Sequence, residues 1–264
     1  MSRLVCVALA TAAMLAGCGG MQSSGGTEPV MESVSITGEP GDARNRAKVH
    51  AELAALYFNR GNMAIALEEL RIAASADANY PLTYSLYGLV YMELREPQLA
   101  QSNFERALRL APTDPDINHN YGWFLCQTGR ENEATKYFMQ AVRNPLYQTP
   151  WRSYSAAGMC SLRKNNLKEA EEFFQRALAQ APDDPGSLLQ LGQVRYRQGA
   201  LEEARRLVTR YNKIVEPSAE SLWLGLRVER KLGERAAETS YATQLRRRFA
   251  ASREYQQLQR GEYD

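Results

Sequence analysis

A pattern of small and aromatic residues recurs at a fixed spacing through most of this 264-residue chain. It consists of a glycine, an alanine twelve positions later and a phenylalanine four positions after that. Successive copies begin 34 and then 36 residues apart, at Gly88, Ala100 and Phe104, at Gly122, Ala134 and Phe138, and at Gly158, Ala170 and Phe174. A further copy, 34 residues on, keeps Gly192 and Ala204 but has Val208 in the last position. Such a period indicates an array in which each repeat packs against its neighbours.

The spacing suits a repeat of two short antiparallel helices. Small side chains at the crossing let the two backbones approach, and the aromatic residue fills the space beside that contact. A proline near the end of the unit, such as Pro112, stops the second helix. The pattern resembles the tetratricopeptide repeat. We therefore predict an all-α fold, a right-handed superhelix of about six tetratricopeptide helix pairs with a C-terminal capping helix. The predicted repeats span residues 47–80, 81–114, 115–148, 151–184, 185–217 and 218–251.

The N-terminus has the composition of a bacterial export signal. Arg3 is followed by an apolar run that is too short to span a membrane as a stable helix. The run ends LAGC at 15–18, which resembles the lipobox, where the leader is cut before a cysteine that then carries acyl chains. We predict a signal peptide over residues 1–17 and lipidation of Cys18, the alternative being an ordinary secreted protein with a chance cysteine. Gly19 after the cysteine, by resemblance to sorted lipoproteins, favours the outer membrane.

The segment that follows Cys18 predicts a spacer. Residues 18–42 are rich in glycine and serine, contain two prolines and show no helical period, so we predict a flexible tether. The tetratricopeptide domain is predicted over residues 43–264. In this arrangement the protein is lipid-anchored in the outer membrane and faces the periplasm.

Composition and motifs argue against catalysis and against nucleic-acid binding. The net charge is only +2, which provides no general attraction for nucleic acid. The chain has two histidines, no glycine-rich phosphate loop, no paired-cysteine metal motif and no serine elbow. We predict that the protein is not an enzyme, that it has no metal site and no cofactor, and that it acts through protein–protein contacts.

The concave face of the array is the predicted binding surface. In this fold the first helix of each pair lines the inner wall. Several positions on that wall are not required for packing between the helices. Six of them carry apolar side chains, an arrangement typical of interaction sites. We predict a partner-binding groove formed by Phe58, Leu89, Met92, Trp123, Met159 and Leu162. The alternative is that a tightly wound superhelix seals these side chains inside. A pocket for a terminal carboxylate is disfavoured, because its lysine and asparagine positions are occupied by Ala51 and Ala55.

Two cysteines lie on the first helices of adjacent repeats. Cys126 and Cys160 occupy nearly equivalent positions on helices that pack side by side, so the two thiols come near disulfide range. In an oxidising compartment a bond would join repeats three and four and add about 3 kcal/mol. Two separate buried thiols are the alternative.

A more specific resemblance rests on the lipobox together with YGWFLC at 121–126 and PLY at 145–147. These segments are similar to the third repeat, and the connection after it, of the type IV pilus biogenesis lipoproteins called PilF or PilW. The resemblance implies a pilotin, with the lipoprotein-sorting machinery and a PilQ-like secretin subunit as partners. It would bring the secretin to the outer membrane and promote its assembly into a multimer. The alternative is a lipoprotein that scaffolds enzymes of peptidoglycan synthesis or hydrolysis.

Overall fold

The computed structural model describes residues 40–263. The described part is all-helical, with six helix pairs followed by one more helix. The pairs are α1 (Pro40–Asn59) with α2 (Met63–Ala76), α3 (Pro81–Glu93) with α4 (Pro97–Leu110), α5 (Pro115–Gln127) with α6 (Glu131–Val142), α7 (Pro150–Arg163) with α8 (Leu167–Gln180), α9 (Pro185–Arg197) with α10 (Leu201–Ile214), and α11 (Ala219–Leu232) with α12 (Arg235–Arg248); α13 is Arg253–Arg260. The predicted all-α array is confirmed.

Each helix contacts its partner in the pair and the helices of the next repeat, as expected for stacked hairpins. The last helix, α13, lies against α11 and α12. Its Tyr255 and Leu258, with Tyr263 beyond it, pack on a cluster that includes Trp223 and Leu245. This helix therefore covers the apolar face that the sixth pair would otherwise leave open.

The N-terminal boundary of the array differs from the prediction. Helix α1 begins at Pro40, so residues 40–42 of the predicted tether are helical. Proline suits the first position of a helix, and Asp42 in the first turn forms an ion pair with Arg46 at 2.6 Å. The predicted signal peptide, Cys18 and the remainder of the tether lie outside the described residues.

The repeated glycines sit directly under aromatic rings of the second helix. A Cβ atom built on Gly88 would lie 2.7 Å from the Phe104 ring, and one on Gly158 would lie 2.7 Å from Phe174. Real Cβ atoms do not approach other atoms this closely, and the two rings are fully buried. Each of these pairs is therefore held together by a contact that only glycine permits.

Two repeats vary this contact in a compensated way. In the first repeat Ala54 stands where Gly88 stands in the second, and Leu70 replaces the phenylalanine. In the fifth repeat Gly192 remains but Val208 replaces the ring, and the nearest side chain is then Leu224 of the next repeat, 3.2 Å from a built Cβ atom. The separation of the two helices in a pair thus depends on the combined size of the small residue on the first helix and the large residue on the second.

The turn inside each pair requires a left-handed residue. Glycine provides it in four repeats, at Gly61, Gly129, Gly199 and Gly233, each with a φ between 77° and 81°. Arg95 and Asn165 occupy the same place in the second and fourth repeats, with φ of 62° and 56°. Asparagine tolerates this conformation, whereas arginine is unusual there.

The connection between repeats three and four is ordered by side-chain hydrogen bonds. The Asn144 amide accepts from the backbone NH of Leu146 at 2.9 Å, and its Nδ2 donates to the carbonyl of Thr113 at 3.1 Å. Tyr147 is buried, with its hydroxyl 3.2 Å from the Ser153 hydroxyl. This connection, which makes the spacing of the repeats 36 instead of 34 residues, is therefore anchored to the turn between α4 and α5 and to α7.

Cys126 and Cys160 are joined as a disulfide whose Cα atoms are 5.8 Å apart. Both residues are fully buried, and both belong to the apolar cluster between repeats three and four. The bond connects α5 directly to α7.

We expect Gly88→Ala to lower the free energy of unfolding by about 2 kcal/mol, because the new methyl group has to displace the buried Phe104 ring. Gly192→Ala is the matched control. It introduces the same methyl group where no ring is present, so its effect should stay within about 1 kcal/mol. Urea titrations followed by circular dichroism measure both.

A compensating variant tests whether the clash with Phe104 causes the loss of stability in Gly88→Ala. Gly88→Ala combined with Phe104→Leu reproduces the natural arrangement of Ala54 and Leu70, so we expect it to recover part of the lost stability. If the double variant is less stable than Gly88→Ala by the full cost of a buried phenylalanine truncation, the two residues do not act as a unit.

Replacing both Cys126 and Cys160 by alanine should lower the free energy of unfolding by about 3 kcal/mol, since the bond restricts the unfolded chain. Urea titrations of wild type and variant, each with and without reductant, measure the difference. With reductant present, the free energies of unfolding of wild type and variant should become similar. Alkylation of both thiols in the native, unreduced protein would contradict the bond.

Candidate partner-binding groove

The first helices of repeats one to five border one open cavity of about 650 Å³. We call it the groove. Five of the six predicted apolar residues line it, namely Phe58, Leu89, Met92, Trp123 and Met159. Met159 is 36 % exposed and the other four are partly exposed, so the strip is accessible from the groove.

Four of these five apolar residues, all except Met159, are supported from behind by the core. Leu89 and Phe58 pack on the cluster around Leu70 and Val90. Trp123 packs on the cluster that contains the buried disulfide. Because one side of each of these four residues packs on the core, their other sides present a preformed apolar wall.

Leu162, the sixth predicted residue, does not line the groove. It packs against the cluster that contains Phe174, Leu191 and Val194. Its position in the repeat corresponds to Cys126 in repeat three, which is fully buried. This position turns toward the next repeat, because neighbouring first helices approach each other there, and Leu162 contributes to packing instead.

The groove also contains residues outside the predicted apolar set. Trp151, in the first turn of α7, adds a second indole to the wall, and Asn59, Asn120 and Ser155 add polar groups. Asn120 Nδ2 donates to the Ser85 hydroxyl at 3.1 Å. Trp151 was missed because it follows the longer connection, where the repeat register is shifted.

His119 lines the groove as part of a polar network behind the apolar wall. Its Nδ1 lies 2.9 Å from the hydroxyl of the fully buried Ser153, which in turn contacts the Tyr147 hydroxyl. Burial lowers the pKa of His119 to about 4, and the positive charge of Arg152 acts in the same direction. At neutral pH the imidazole is uncharged, so it serves as a neutral hydrogen-bonding group that positions α5 against α7.

Two charged residues mark opposite ends of the groove. Glu93, the last residue of α3, lines it at repeat two, and Arg152, near the start of α7, lines it at repeat four. Both side chains are exposed. Burial raises the pKa of the nearby Asp116 carboxyl, Asp114 adds to that effect and Arg152 opposes it.

Within residues 40–263 no group of three or more His, Cys, Asp or Glu side chains is placed to hold a metal ion. None of the helices in that range is long and apolar enough to cross a membrane.

Family models of the tetratricopeptide repeat match residues 82–114, 103–136, 133–185 and 161–221. The APC/C hetero-tetramer Cut9-Hcn1 superposes with a TM-score of 0.68 over 85 % of this chain and 45 % of its own, at 14 % identity, which shows the shared fold alone. The chain is therefore a tetratricopeptide protein by sequence and by structure.

Closer similarities point to one group. The type IV pilus assembly protein PilF of Pseudomonas aeruginosa is 28 % identical over 203 residues, which cover 77 % of this chain and 81 % of PilF. The structure of P. aeruginosa PilF superposes with a TM-score of 0.76 at 26 % identity, covering 83 % of this chain and 99 % of its own. The crystal structure of PilW, a widely conserved type IV pilus biogenesis factor, is 30 % identical, with a TM-score of 0.74 over 81 % of this chain and 98 % of PilW. With this identity over nearly the whole of PilW, the chain belongs to the PilF/PilW family of tetratricopeptide-repeat proteins of type IV pilus biogenesis.

Proposed function

We propose that this protein is an outer-membrane lipoprotein that binds the type IV pilus secretin and promotes its localisation and multimerisation. The observation that carries the proposal is the groove, a preformed apolar wall on the concave face of a PilF/PilW-type array. The proposed partner is the secretin subunit, and the proposed location is the periplasmic side of the outer membrane.

The side chains of the groove have the chemistry of a protein-binding site. Trp123 and Trp151 offer large rigid surfaces, and Met92 and Met159 offer adaptable ones. The inner sides of Trp123 and Met92 rest on the core, so these two residues lose little side-chain freedom when a partner binds. A secretin subunit exposes strand edges and apolar segments before its ring closes. Holding one such segment in the groove would prevent premature association.

The proposed lipid anchor supplies the transport. Acyl chains on Cys18 would allow the lipoprotein-sorting machinery to transport the protein to the outer membrane. Several acyl chains on one residue give durable membrane attachment. A secretin subunit held in the groove would travel with it. Binding and anchoring are thus separable properties, located in different segments of the chain.

Replacing Trp123 and Leu89 together by alanine should abolish or strongly reduce secretin capture, because central aromatic and aliphatic anchors each contribute about 2 kcal/mol or more to binding. Co-purification of secretin from detergent-solubilised outer membrane measures capture, and circular dichroism confirms the fold. Leu99→Ala is the matched control, since Leu99 is 45 % exposed on α4 and does not line the groove.

Secretin capture by the double variant at the wild-type level would contradict groove binding. If wild type captures peptidoglycan synthases or hydrolases in place of secretin, and the double variant does not capture them, the result would favour the wall-scaffold function instead.

Cys18→Ser should release the protein from the outer-membrane fraction and leave secretin subunits unassembled there, because the acyl chains have no other attachment point in the proposal. Sucrose-gradient fractionation and gel analysis of heat-resistant secretin multimers measure the two effects. Binding of purified secretin by this variant should stay unchanged. A variant that remains in the outer membrane would contradict the anchor.

A further inference from the structure

The first helices that form the groove run in the same direction and in register. Asn120 on α5 contacts Ser85 on α3 at 3.1 Å, and these are the sixth and fifth residues of their helices. His119 contacts Ser153 near the start of α7, and Cys126 bonds to Cys160 toward its end. Equivalent turns of α3, α5 and α7 therefore lie side by side.

The groove crosses these parallel helices diagonally. In repeats one and two it is lined by the C-terminal parts of α1 and α3, from Ala55 to Asn59 and from Leu86 to Glu93. In repeat four it is lined by α7 from its first turn, at Trp151 and Arg152, as far as Met159, with Trp123 between the two ends. Three steps between neighbouring helices correspond to roughly 25 Å, so an occupant that fills the groove is a segment rather than a single side chain.

The two ends of this diagonal carry opposite charge. Glu93 and the carbonyl ends of α1 and α3 make the first end negative, whereas Arg152 and the amide end of α7 make the other positive. Asp184 also lines the second end, but it caps the amide end of α9, accepting a hydrogen bond from the backbone NH of Ser187 at 2.7 Å, so the partial positive charge of that helix end offsets part of its negative charge. Asp116 lies within electrostatic reach of Arg152 without forming an ion pair.

In the described part of the chain, Glu93 and Arg152 lack ion-pair partners, although neighbouring charges have them. Lys164 pairs with Glu169 at 3.0 Å, and Arg195 pairs with Glu171 and with Glu203 at 2.9 Å. Among residues 41–263, by contrast, no side chain forms an ion pair with Glu93 or with Arg152. Exposed, oriented charges beside an apolar wall are available to a bound segment.

We infer that the groove selects a bipolar segment, apolar in its middle, with a basic residue at the end that lies on repeats one and two and an acidic residue at the end that lies on repeat four. The inference rests on the proposed function, since the segment belongs to the secretin. It adds a direction of binding, which the apolar wall alone does not impose.

The experiment uses overlapping 20-residue peptides that tile the periplasmic part of the same organism's secretin. Binding to the full mature protein in detergent is measured by fluorescence anisotropy. We expect the binding peptides to have opposite charges flanking an apolar middle. Arg152→Glu and Glu93→Lys should each weaken binding about three- to tenfold at low salt, and by less at high salt, because the charges are exposed.

Arg143→Glu is the matched control, because Arg143 is exposed on the turn after α6 and lies outside the groove. It should leave binding unchanged. The decisive measurement is an exchange of charges: a peptide whose acidic residue is replaced by lysine should bind Arg152→Glu better than wild type. A peptide with its two end charges interchanged should bind wild type less well than the parent peptide does.

The outcomes separate the two claims. If wild-type protein captures no secretin and binds no peptide, the proposed function fails. If it binds a peptide, loses it on replacement of Trp123 and Leu89, but is indifferent to Arg152→Glu and Glu93→Lys, the groove stands and the directional inference is overturned. Equal binding of the parent and the charge-interchanged peptide overturns it as well.

Discussion

The contact between a helix backbone and an aromatic ring determines the geometry of the array. At Gly88 and Gly158 the ring of the second helix rests on the first helix where any side chain would collide with it. The contact draws the two helices of a pair together and fixes which side of the first helix faces its partner. The opposite side is then left to form the inner wall, so a local packing rule decides where a binding surface can develop.

The array is held together differently along its length. Repeats two to four are joined by large apolar clusters, including the buried rings of Phe104, Phe124 and Phe138. Toward the C-terminus, charged contacts take a larger part. Arg205 forms two hydrogen bonds with the nearly buried Glu229 of the next repeat, at 3.0 and 2.6 Å. The groove lies over these apolar clusters, against which Leu89, Met92 and Trp123 pack.

The sequence was sufficient to predict the helix pairs and most of the groove, since both follow from position within a periodic unit. Prediction failed where the period itself is disturbed. Trp151 follows the longer connection, and its place in the groove depends on how that connection folds. Leu162 is apolar at a position assigned to the wall, but it packs against Leu191 and Val194 of the next repeat instead. The network of His119 and Ser153 depends on three-dimensional proximity that no spacing rule encodes.

The longer connection also explains why the disulfide joins non-equivalent positions. Cys126 corresponds by repeat register to Leu162, yet it bonds to Cys160, two residues earlier on α7. The buried Tyr147 fixes the connection against Ser153, and Ser153 contacts His119 on α5. Two independent links, one covalent and one through hydrogen bonds, therefore set the position of α7 relative to α5. Trp123 and Arg152 lie on these two helices, so the links fix the spacing between the apolar middle of the groove and its positive end. A binding surface whose parts are fixed in this way loses little conformational entropy when a partner segment is captured.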